Sequence, residues 1–400
     1  MFNRKKLLSF IENKIEIKAD TKDSRDKAEL TVGYENLLYQ KRLIKSDLLS
    51  NKIEQWQTWK ISNFEMLMWL NLMGNRSYLD ISQYPVFPWI ITNFTSDNLN
   101  LTLDVRQMNL PMGMMEIDQK GKGKERKSIY IETFNSLKSD CSQEPYHYGS
   151  HYSNPMYVAH FLTRVFPFSH IAIELQGDKF DDPNRLFNSL SNSFLCASST
   201  KGDVRELIPE IFYFPEMLLN INNLNMGTRT DMDFNHRKVG DVEVPEWSNS
   251  DHYKFIIMMK QVLESPEVSY SIHQWIDLIF GYKQSGKEGE EANNLFIYSS
   301  YEDAINLENE DNKQKPYLLR MVEFGLTPTQ LFFKQFQSKT KKENLSKIKS
   351  ITDSKDLKAY GNANKSKNMK KSLPIMISLK VLDNDKILCV YNNNTYNIYR

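Results

Sequence analysis

The chain has 400 residues and carries 51 basic against 50 acidic side chains, which gives a net charge of +1 at pH 7. This balance argues against a general nucleic-acid binder, which usually has a basic excess, and it is compatible with a local basic patch. Three widely spaced cysteines, Cys141, Cys196 and Cys389, show neither a disulfide framework nor metal-ligand spacing, so they indicate a reducing compartment. No stretch approaches the ~18 apolar residues of a membrane-spanning helix. We therefore expect a cytoplasmic protein, with any contact to intracellular membranes being peripheral.

The first 54 residues are polar and charged, and one amphipathic helix is predicted within them. In YENLLYQKRLIKSDLLSNKI the apolar residues recur at roughly helical spacing, as Leu37, Leu38, Leu43, Ile44, Leu48 and Leu49. A helix with one apolar stripe usually packs on a larger body. We therefore interpret residues 1–54 as a polar segment whose helix packs against the main domain.

A helix and an extended segment are predicted next. Ser62 or Asn63 is suited to cap a helix that begins at Phe64, and Gly74 is suited to end it, because glycine tolerates the left-handed conformation common at helix ends. The following sequence, SQYPVFPWIITNF, contains two prolines that exclude a helix and several aromatic side chains that require burial. It predicts a buried extended strand at a sheet edge, where proline is tolerated.

Residues 95–130 are predicted to form loops. They include the Gly/Lys-rich run at 120–127, whose spacing does not match a phosphate-binding loop. A charged, glycine-rich run of this kind is typical of a solvated loop. No phosphate site is therefore predicted in this part of the chain.

The next stretch, which begins YHYGSHYSNP, combines apolar and aromatic residues with several prolines. Pro155 suits the first turn of a helix, the alternation at 169–175 predicts a short strand, and Asp182 followed by proline predicts a second capped helix. Around Pro209 and Pro215 we expect short turns and extended pieces, because proline interrupts helices and central strands. The core is therefore predicted to consist partly of irregular backbone.

Towards the C-terminus, loops and helices are predicted to alternate before the composition changes. Residues 225–250 are polar and predict a loop, 251–265 and 269–280 have the apolar spacing of helices, and 301–337 is predicted to be charged and then helical. These helices are predicted to complete the main domain.

The last part of the chain is predicted to contain a linker and a hairpin. Residues 338–372 are rich in lysine, serine and asparagine and nearly lack aromatic residues, which is typical of a linker. Residues 373–400 alternate between apolar and polar side chains, so two strands joined at DNDK are predicted. A lone hairpin is marginally stable in water, so we expect this one to belong to a larger sheet.

Two histidines keep an enzymatic alternative open. His147 and His151 are four residues apart, a spacing that places two ligands on one helix face, but the glycine-containing turn between them and the missing HExxH carboxylate argue against a metal site. Catalytic groups assemble in space rather than in sequence. A cryptic hydrolase or metal enzyme that uses these histidines and nearby aspartates is therefore the alternative, while the favoured interpretation assigns no catalytic residue, cofactor or metal.

Several long blocks of the sequence resemble one known family. They are WKISNFEMLMWLNLMGNRSYLDISQYPVFPWI, YHYGSHYSNPMYVAHFLTRVFPFSHIAIELQGDKFDDPNRLF, DVRELIPEIFYFPEMLLN, VGDVEVPEW, HQWIDLIFGYKQSG and FGLTPTQLF. In this order they resemble the BEACH domain of beige/Chediak–Higashi-type and neurobeachin-like proteins, over residues 55–337. The resemblance implies one large domain that is mainly α-helical with an irregular extended core. Together with the predicted short β-hairpin at the C-terminus, this is the expected fold.

The resemblance also implies a role. BEACH proteins are large cytosolic scaffolds in vesicle trafficking, membrane dynamics, lysosome-related organelle function, autophagy and receptor signalling, and no catalytic activity is accepted for them. We therefore expect a non-catalytic scaffold or adaptor that binds unidentified trafficking or signalling proteins and no nucleic acid. A peripheral membrane-binding module that uses the lysines of residues 338–372 is a further alternative.

Family members usually carry a pleckstrin-homology-like domain before the BEACH domain and WD40 repeats after it. Residues 1–54 are compatible with the last helix of such a domain, and residues 373–400 resemble the start of a WD40 propeller. We expect either a fragment of a longer protein or a reduced form. Trp56, Trp59 and Lys60 lie where the preceding domain would pack, so they are the candidate interaction surface, either exposed or covered by residues 30–50.

Overall fold

The computed structural model describes residues 48–117, 122–140, 144–230, 236–301 and 325–340, together with the backbone of three strands near the C-terminus. The chain divides into two units, Met1–Asn344 and Leu345–Arg400. The described part of the larger unit is mainly helical, as the sequence predicted. Among the described residues, no helix combines the length and the apolar composition that a membrane crossing requires.

The α-helices of the described residues are separated by connections of very different lengths. They are α1 (48–57), α2 (Asn63–Met73), α3 (Leu101–Asp104), α4 (Lys122–Asp140), α5 (Pro155–Phe161), α6 (Phe168–Leu175), α7 (Leu190–Ser199), α8 (His252–Leu263), α9 (Pro266–Ser269), α10 (Ile272–Ile279) and α11 (Gly286–Glu291). The part of the predicted N-terminal helix before residue 48 lies outside the described residues.

Side-chain caps fix several helix starts. Ser62, Asn154 and Asp251 each accept a hydrogen bond from an amide in the first turn of α2, α5 and α8. The predicted helices at these places are thus confirmed. At the end of α2, Gly74 is the cap residue, but Asn75 rather than the glycine takes the left-handed conformation, with φ of 65°.

The prediction of loops over 95–130 was wrong, because α4 begins inside the Gly/Lys-rich run and extends over 19 residues. Its buried side chains Arg126, Tyr130 and Phe134 recur every fourth residue, while charged residues occupy the other sides. This single stripe is the helical signal that the charged composition concealed.

Two further assignments in the central stretch were wrong. Residues 169–175 form most of α6 rather than a strand, since the apolar residues that alternate there also fit a spacing of three and four. Asp182 caps only a turn, in which its carboxylate accepts from the amide of Asn184 at 2.8 Å. The helix begins later, at Leu190, and its cap is Ser189.

The centre of the unit contains extended backbone without a regular sheet. Residues 84–91 are all buried, and their bridges to other segments are isolated pairs, Phe87 with Leu207 and Ile91 with Val105. Short 3-10 turns at Pro209–Phe212 and Pro215–Leu218 follow, as the prolines predicted. The predicted irregular extended core is confirmed, although the predicted edge strand does not form a ladder.

Buried arginines supply hydrogen bonds to this irregular backbone. Arg76 donates to the carbonyls of Tyr84 and Leu326 at 2.6 Å and to the Ser153 hydroxyl at 2.7 Å. Arg126 donates to three carbonyls that come from three separate segments. Backbone carbonyls that have no helix or sheet partner are thereby satisfied in the interior.

A buried ion pair ties the same region together. Arg106 donates to both carboxylate oxygens of Glu206 at 2.8 Å, and Glu206 also accepts from the Trp89 amide and the Trp275 indole at 3.1 Å. Burial raises the pKa of Glu206, against the opposing effect of the Arg106 charge. The two charges stabilise each other only because these additional donors surround the carboxylate.

The strands lie in two places. Strands β1 (Thr228–Thr230) and β2 (His236–Lys238) form an antiparallel pair inside the region predicted as a polar loop. In the smaller unit, β3 (Met376–Asp383), β4 (Lys386–Tyr391) and β5 (Tyr396–Tyr399) form an antiparallel sheet in the order β3-β4-β5. The predicted C-terminal hairpin is therefore present and has a third strand. The β1–β2 pair is a further antiparallel pair that the sequence did not predict.

The segment 325–340 contains no helix, so the helical prediction that reached residue 337 was wrong there. Its backbone instead bonds to other parts of the unit, with the Phe336 amide donating to the Asp277 carboxylate at 2.8 Å. The predicted linker residues after 340 lie outside the described residues.

Candidate interaction surface

The predicted contact residues lie at the junction of α1 and α2, which run antiparallel. Lys52 pairs with Glu65 at 3.2 Å, and the Trp56 indole donates to the Asn63 side chain at 2.8 Å. Earlier residues of α1 therefore lie beside later residues of α2. The short connection of residues 58–62 is what a pair of antiparallel neighbouring helices requires.

Trp56 is a core residue. Its side chain is fully buried and its ring centroid lies 5.5 Å from that of Phe336. Asn63, which accepts from the indole, donates in turn to the Leu263 carbonyl and the Ser269 hydroxyl. Of the three predicted contact residues, Trp56 is thus unavailable to a partner.

Trp59 is half-buried and Lys60 is exposed. The backbone of Trp59 has φ of 62°, a left-handed conformation that costs free energy for a large side chain. The conformation is held by the indole, which donates to the Thr340 carbonyl at 2.7 Å, and by an edge contact with Tyr270. Trp59 and Lys60 are therefore the members of the predicted surface that solvent reaches.

Lys339 joins the two tryptophans. Its ammonium lies 4.2 Å from the ring centroid of Trp59 and 5.4 Å from that of Trp56, and only 3% of the residue is exposed. A desolvated ammonium is attracted to aromatic faces. We call Trp56, Trp59 and Lys339 the tryptophan–lysine clamp. It fastens the end of segment 325–340 onto α1, and the Thr340 amide adds a bond to the Gln57 carbonyl.

The residues that cover the tryptophans differ from the expected ones. Residues 30–50 were the expected cover, whereas among the described residues the covering contacts come from Phe336 and Lys339. Lys339 lay within the predicted linker, and a lysine about 280 residues from its aromatic partners carries no local signal.

The two candidate histidines serve the core. His147 stacks on Phe134 with centroids 4.3 Å apart and accepts from the Leu295 amide at 3.3 Å. Burial lowers its pKa to about 4, so the ring is neutral at pH 7. The Nδ1 atom of His151 lies 2.8 Å from the Ser153 carbonyl oxygen and 3.1 Å from the Ser153 amide nitrogen, and burial holds the pKa of His151 well below the usual value.

One acidic side chain, Glu290, acts on His147 through its charge and opposes the lowering of the histidine pKa by burial. No group of three or more His, Cys, Asp or Glu side chains able to hold a metal occurs within the described ranges. Asp181 and Asp182, which follow later in the same stretch, are engaged locally. Asp182 accepts from the Asn184 amide, and Asp181 pairs with Arg185. The chemistry that this arrangement supports is hydrogen bonding by neutral imidazoles inside the core.

Comparison with known proteins gives one consistent result. The family model described as Beige/BEACH domain matches residues 54–339. A putative neurobeachin homolog of Caenorhabditis elegans is 39% identical over 287 residues, which is 70% of this chain and 11% of that protein. Beige protein homolog 1 of Saccharomyces cerevisiae is 40% identical over 286 residues, which is 70% of this chain and 13% of that protein.

BEACH domain-containing protein B of Arabidopsis thaliana is 38% identical over 298 residues, which is 74% of this chain and 11% of that protein. The matched region of this chain thus spans only 11% to 13% of the length of these three relatives.

Proposed function

The chain belongs to the BEACH family, and on that premise we propose that it is a non-catalytic scaffold or adaptor that binds trafficking or signalling proteins. The processes implied by the resemblance are vesicle trafficking, membrane dynamics, lysosome-related organelle function and autophagy. The observation that carries the proposal is the family match over residues 54–339.

The use of the buried polar groups supports this proposal. Arg76 and Arg126 donate to backbone carbonyls, Arg106 and Glu206 neutralise each other, and His147 stacks on an aromatic ring. These groups satisfy polar backbone atoms and charges inside the irregular core, a structural use that fits a scaffold.

We propose that Lys60 and the exposed part of Trp59 belong to the partner-binding surface. Affinity purification with quantitative mass spectrometry compares the parent chain with Lys60→Glu and with Lys179→Glu, a matched charge reversal at another exposed lysine. Trafficking or kinase-anchoring proteins should be enriched by the parent chain and by Lys179→Glu but lost with Lys60→Glu. Recovery of chaperones alone by the parent chain would contradict the scaffold role. Equal recovery of the partner proteins by both variants would exclude Lys60 from the partner-binding surface.

We also propose the domain organisation that the sequence predicted, with a polar segment 1–54, a BEACH domain 55–337, a linker 338–372 and a hairpin 373–400. Limited proteolysis should cut first between 341 and 372, because Lys339 and Thr340 pack against residues 56–59. Early cleavage within 55–337 would contradict this domain organisation. In cell fractionation we expect cytoplasmic protein and a salt-extractable membrane fraction, because peripheral electrostatic contacts are screened by salt.

A further inference from the structure

Helix α6 (Phe168–Leu175) is apolar and remains open to solvent. Five of its eight residues are apolar, namely Phe168, Ile171, Ala172, Ile173 and Leu175. The one residue of this helix that is buried is nevertheless Ser169, and Leu175 is 43% exposed. In α10, by contrast, every apolar residue is buried. An apolar helix that buries only its serine has the character of an interaction surface.

The exposed face of α6 has a polar edge and an apolar edge. With successive residues turned by about 100° around the helix axis, Ile171 and Glu174 lie opposite the buried side. His170 flanks them on one side, and Phe168 and Leu175 flank them on the other. His170 and Glu174 are both exposed and are one helical turn apart, so they form the polar edge. Phe168 and Leu175 form the apolar edge.

Both edges are arranged symmetrically about the middle of the helix. Phe168 and Leu175 are equally far from a point between residues 171 and 172, and His170 and Glu174 are equally far from residue 172. A second, antiparallel copy of the helix, related by a two-fold axis, therefore places like edges against each other. Phe168 then meets Leu175 of the second copy, and His170 lies beside its Glu174. We propose that the chain forms a symmetric dimer in which α6 packs against α6 of a second copy.

This self-complementarity favours a second copy over an unrelated partner. A two-fold interface uses the same surface patch twice, so each contact residue must meet a complementary one at the symmetry-related position. An imidazole N–H of His170 donates to the Glu174 carboxylate in this arrangement. Phe166, which is 40% exposed, holds the imidazole through a ring contact with centroids 5.1 Å apart. Two short helices bury less surface than a standard interface, so the dimer should be reversible.

Sedimentation velocity of the full chain tests this inference. Between about 1 and about 500 μM, the average mass should rise from that of one chain towards that of two, as a small interface requires. His170→Glu sets carboxylates against each other at both ends of the interface and should weaken dimerisation at least about ten-fold. The exchange His170→Glu with Glu174→His should restore dimerisation, because it reverses both partners of each contact.

The apolar edge has its own matched pair of variants. Leu175→Ser should also weaken dimerisation, whereas Leu103→Ser on α3, where the leucine is 77% exposed, should leave it unchanged. A parent chain that stays monomeric over the whole range would overturn the inference. A dimer that none of these substitutions weakens, or an exchange variant as weak as His170→Glu alone, would overturn it too. The scaffold role is not at stake, since the measurement includes no partner protein.

Discussion

Helix α8 is buried on one side and the extended segment 84–91 is buried throughout, and the two satisfy their backbone groups in different ways. In α8 the amides bond within the helix, and Asp251 caps the first turn. In the extended segment, Asn71 bonds both the amide and the carbonyl of Val86, and Glu206 accepts from the amide of Trp89. A helix is thus locally self-sufficient, whereas this extended core depends on particular polar side chains from distant positions.

The largest expected effect comes from removing a buried donor that serves other irregular parts of the core, Arg126. Arg126→Met keeps much of the side-chain volume but leaves the carbonyls of Met112, Ala197 and Asp203 without this partner. Chemical denaturation should show a loss of about 3–5 kcal/mol in the free energy of unfolding, because several buried acceptors become unsatisfied.

The control is Arg185→Met, which removes an exposed arginine whose pairing with Asp181 is a surface contact. It should change the free energy of unfolding by less than about 0.5 kcal/mol. Similar losses in the free energy of unfolding for both variants would contradict the claim that a buried donor contributes more than a surface charge.

The predictability of the two regions follows from the same difference. The starts of α2, α5 and α8 could be predicted because a cap and an apolar period lie within a few residues of each other. The irregularity of 84–91 could also be predicted, from its prolines. The residues that hold it could not, because Glu206 lies 117 positions from Trp89 and no local pattern connects them.

A second prediction concerns a buried carboxyl of the irregular core. Glu210 accepts from the Tyr84 hydroxyl at 2.5 Å, and burial raises its pKa to about 7, above an ordinary value near 4.5. Because the folded pKa is raised, the folded state binds the proton more tightly than the unfolded state. The contribution of Glu210 to stability is therefore largest below about pH 4.5 and falls by on the order of 3 kcal/mol as the pH rises to 7.

Glu210→Gln retains an acceptor for Tyr84 and cannot ionise. The stability of the variant minus that of the parent, from denaturation between pH 4.5 and 8, should rise with pH by on the order of 3 kcal/mol. A pH-independent difference would show that burial of this carboxyl does not oppose ionisation.

A third prediction concerns the tryptophan–lysine clamp, where segment 325–340 meets α1. Lys339→Met keeps the aliphatic stem and removes the charge between Trp56 and Trp59, so the free energy of unfolding should fall by about 1–2 kcal/mol. Tryptophan fluorescence should change as well. Lys334→Met, at an exposed lysine of the same segment, should leave both measurements nearly unchanged. Equal effects of the two substitutions would contradict a stabilising role for the tryptophan–lysine clamp.

The candidate surface shows the same limit of sequence reasoning. The family resemblance placed a candidate contact site at Trp56, Trp59 and Lys60, of which solvent reaches Trp59 and Lys60. Burial was one of the two outcomes expected for the tryptophans, but the residues that bury Trp56 were not predictable, because Phe336 and Lys339 approach from the far end of the matched region.

The smallest effect is expected in the helical region. Asp251→Ala removes the acceptor of the Lys254 amide and should cost about 1 kcal/mol in thermal or chemical denaturation, whereas Asp251→Asn should retain most of that contribution. A loss as large as that of Arg126→Met would contradict the view that helix ends are stabilised locally and modestly.

Native-state hydrogen exchange in Asn71→Leu tests the central claim most directly, since Asn71 is the acceptor of the Val86 amide at 2.8 Å. We predict that the opening free energy at Val86 falls by at least about 1 kcal/mol more than at Met259 inside α8. An equal decrease at both amides, or no decrease at Val86, would contradict the claim that single distant side chains hold the extended core.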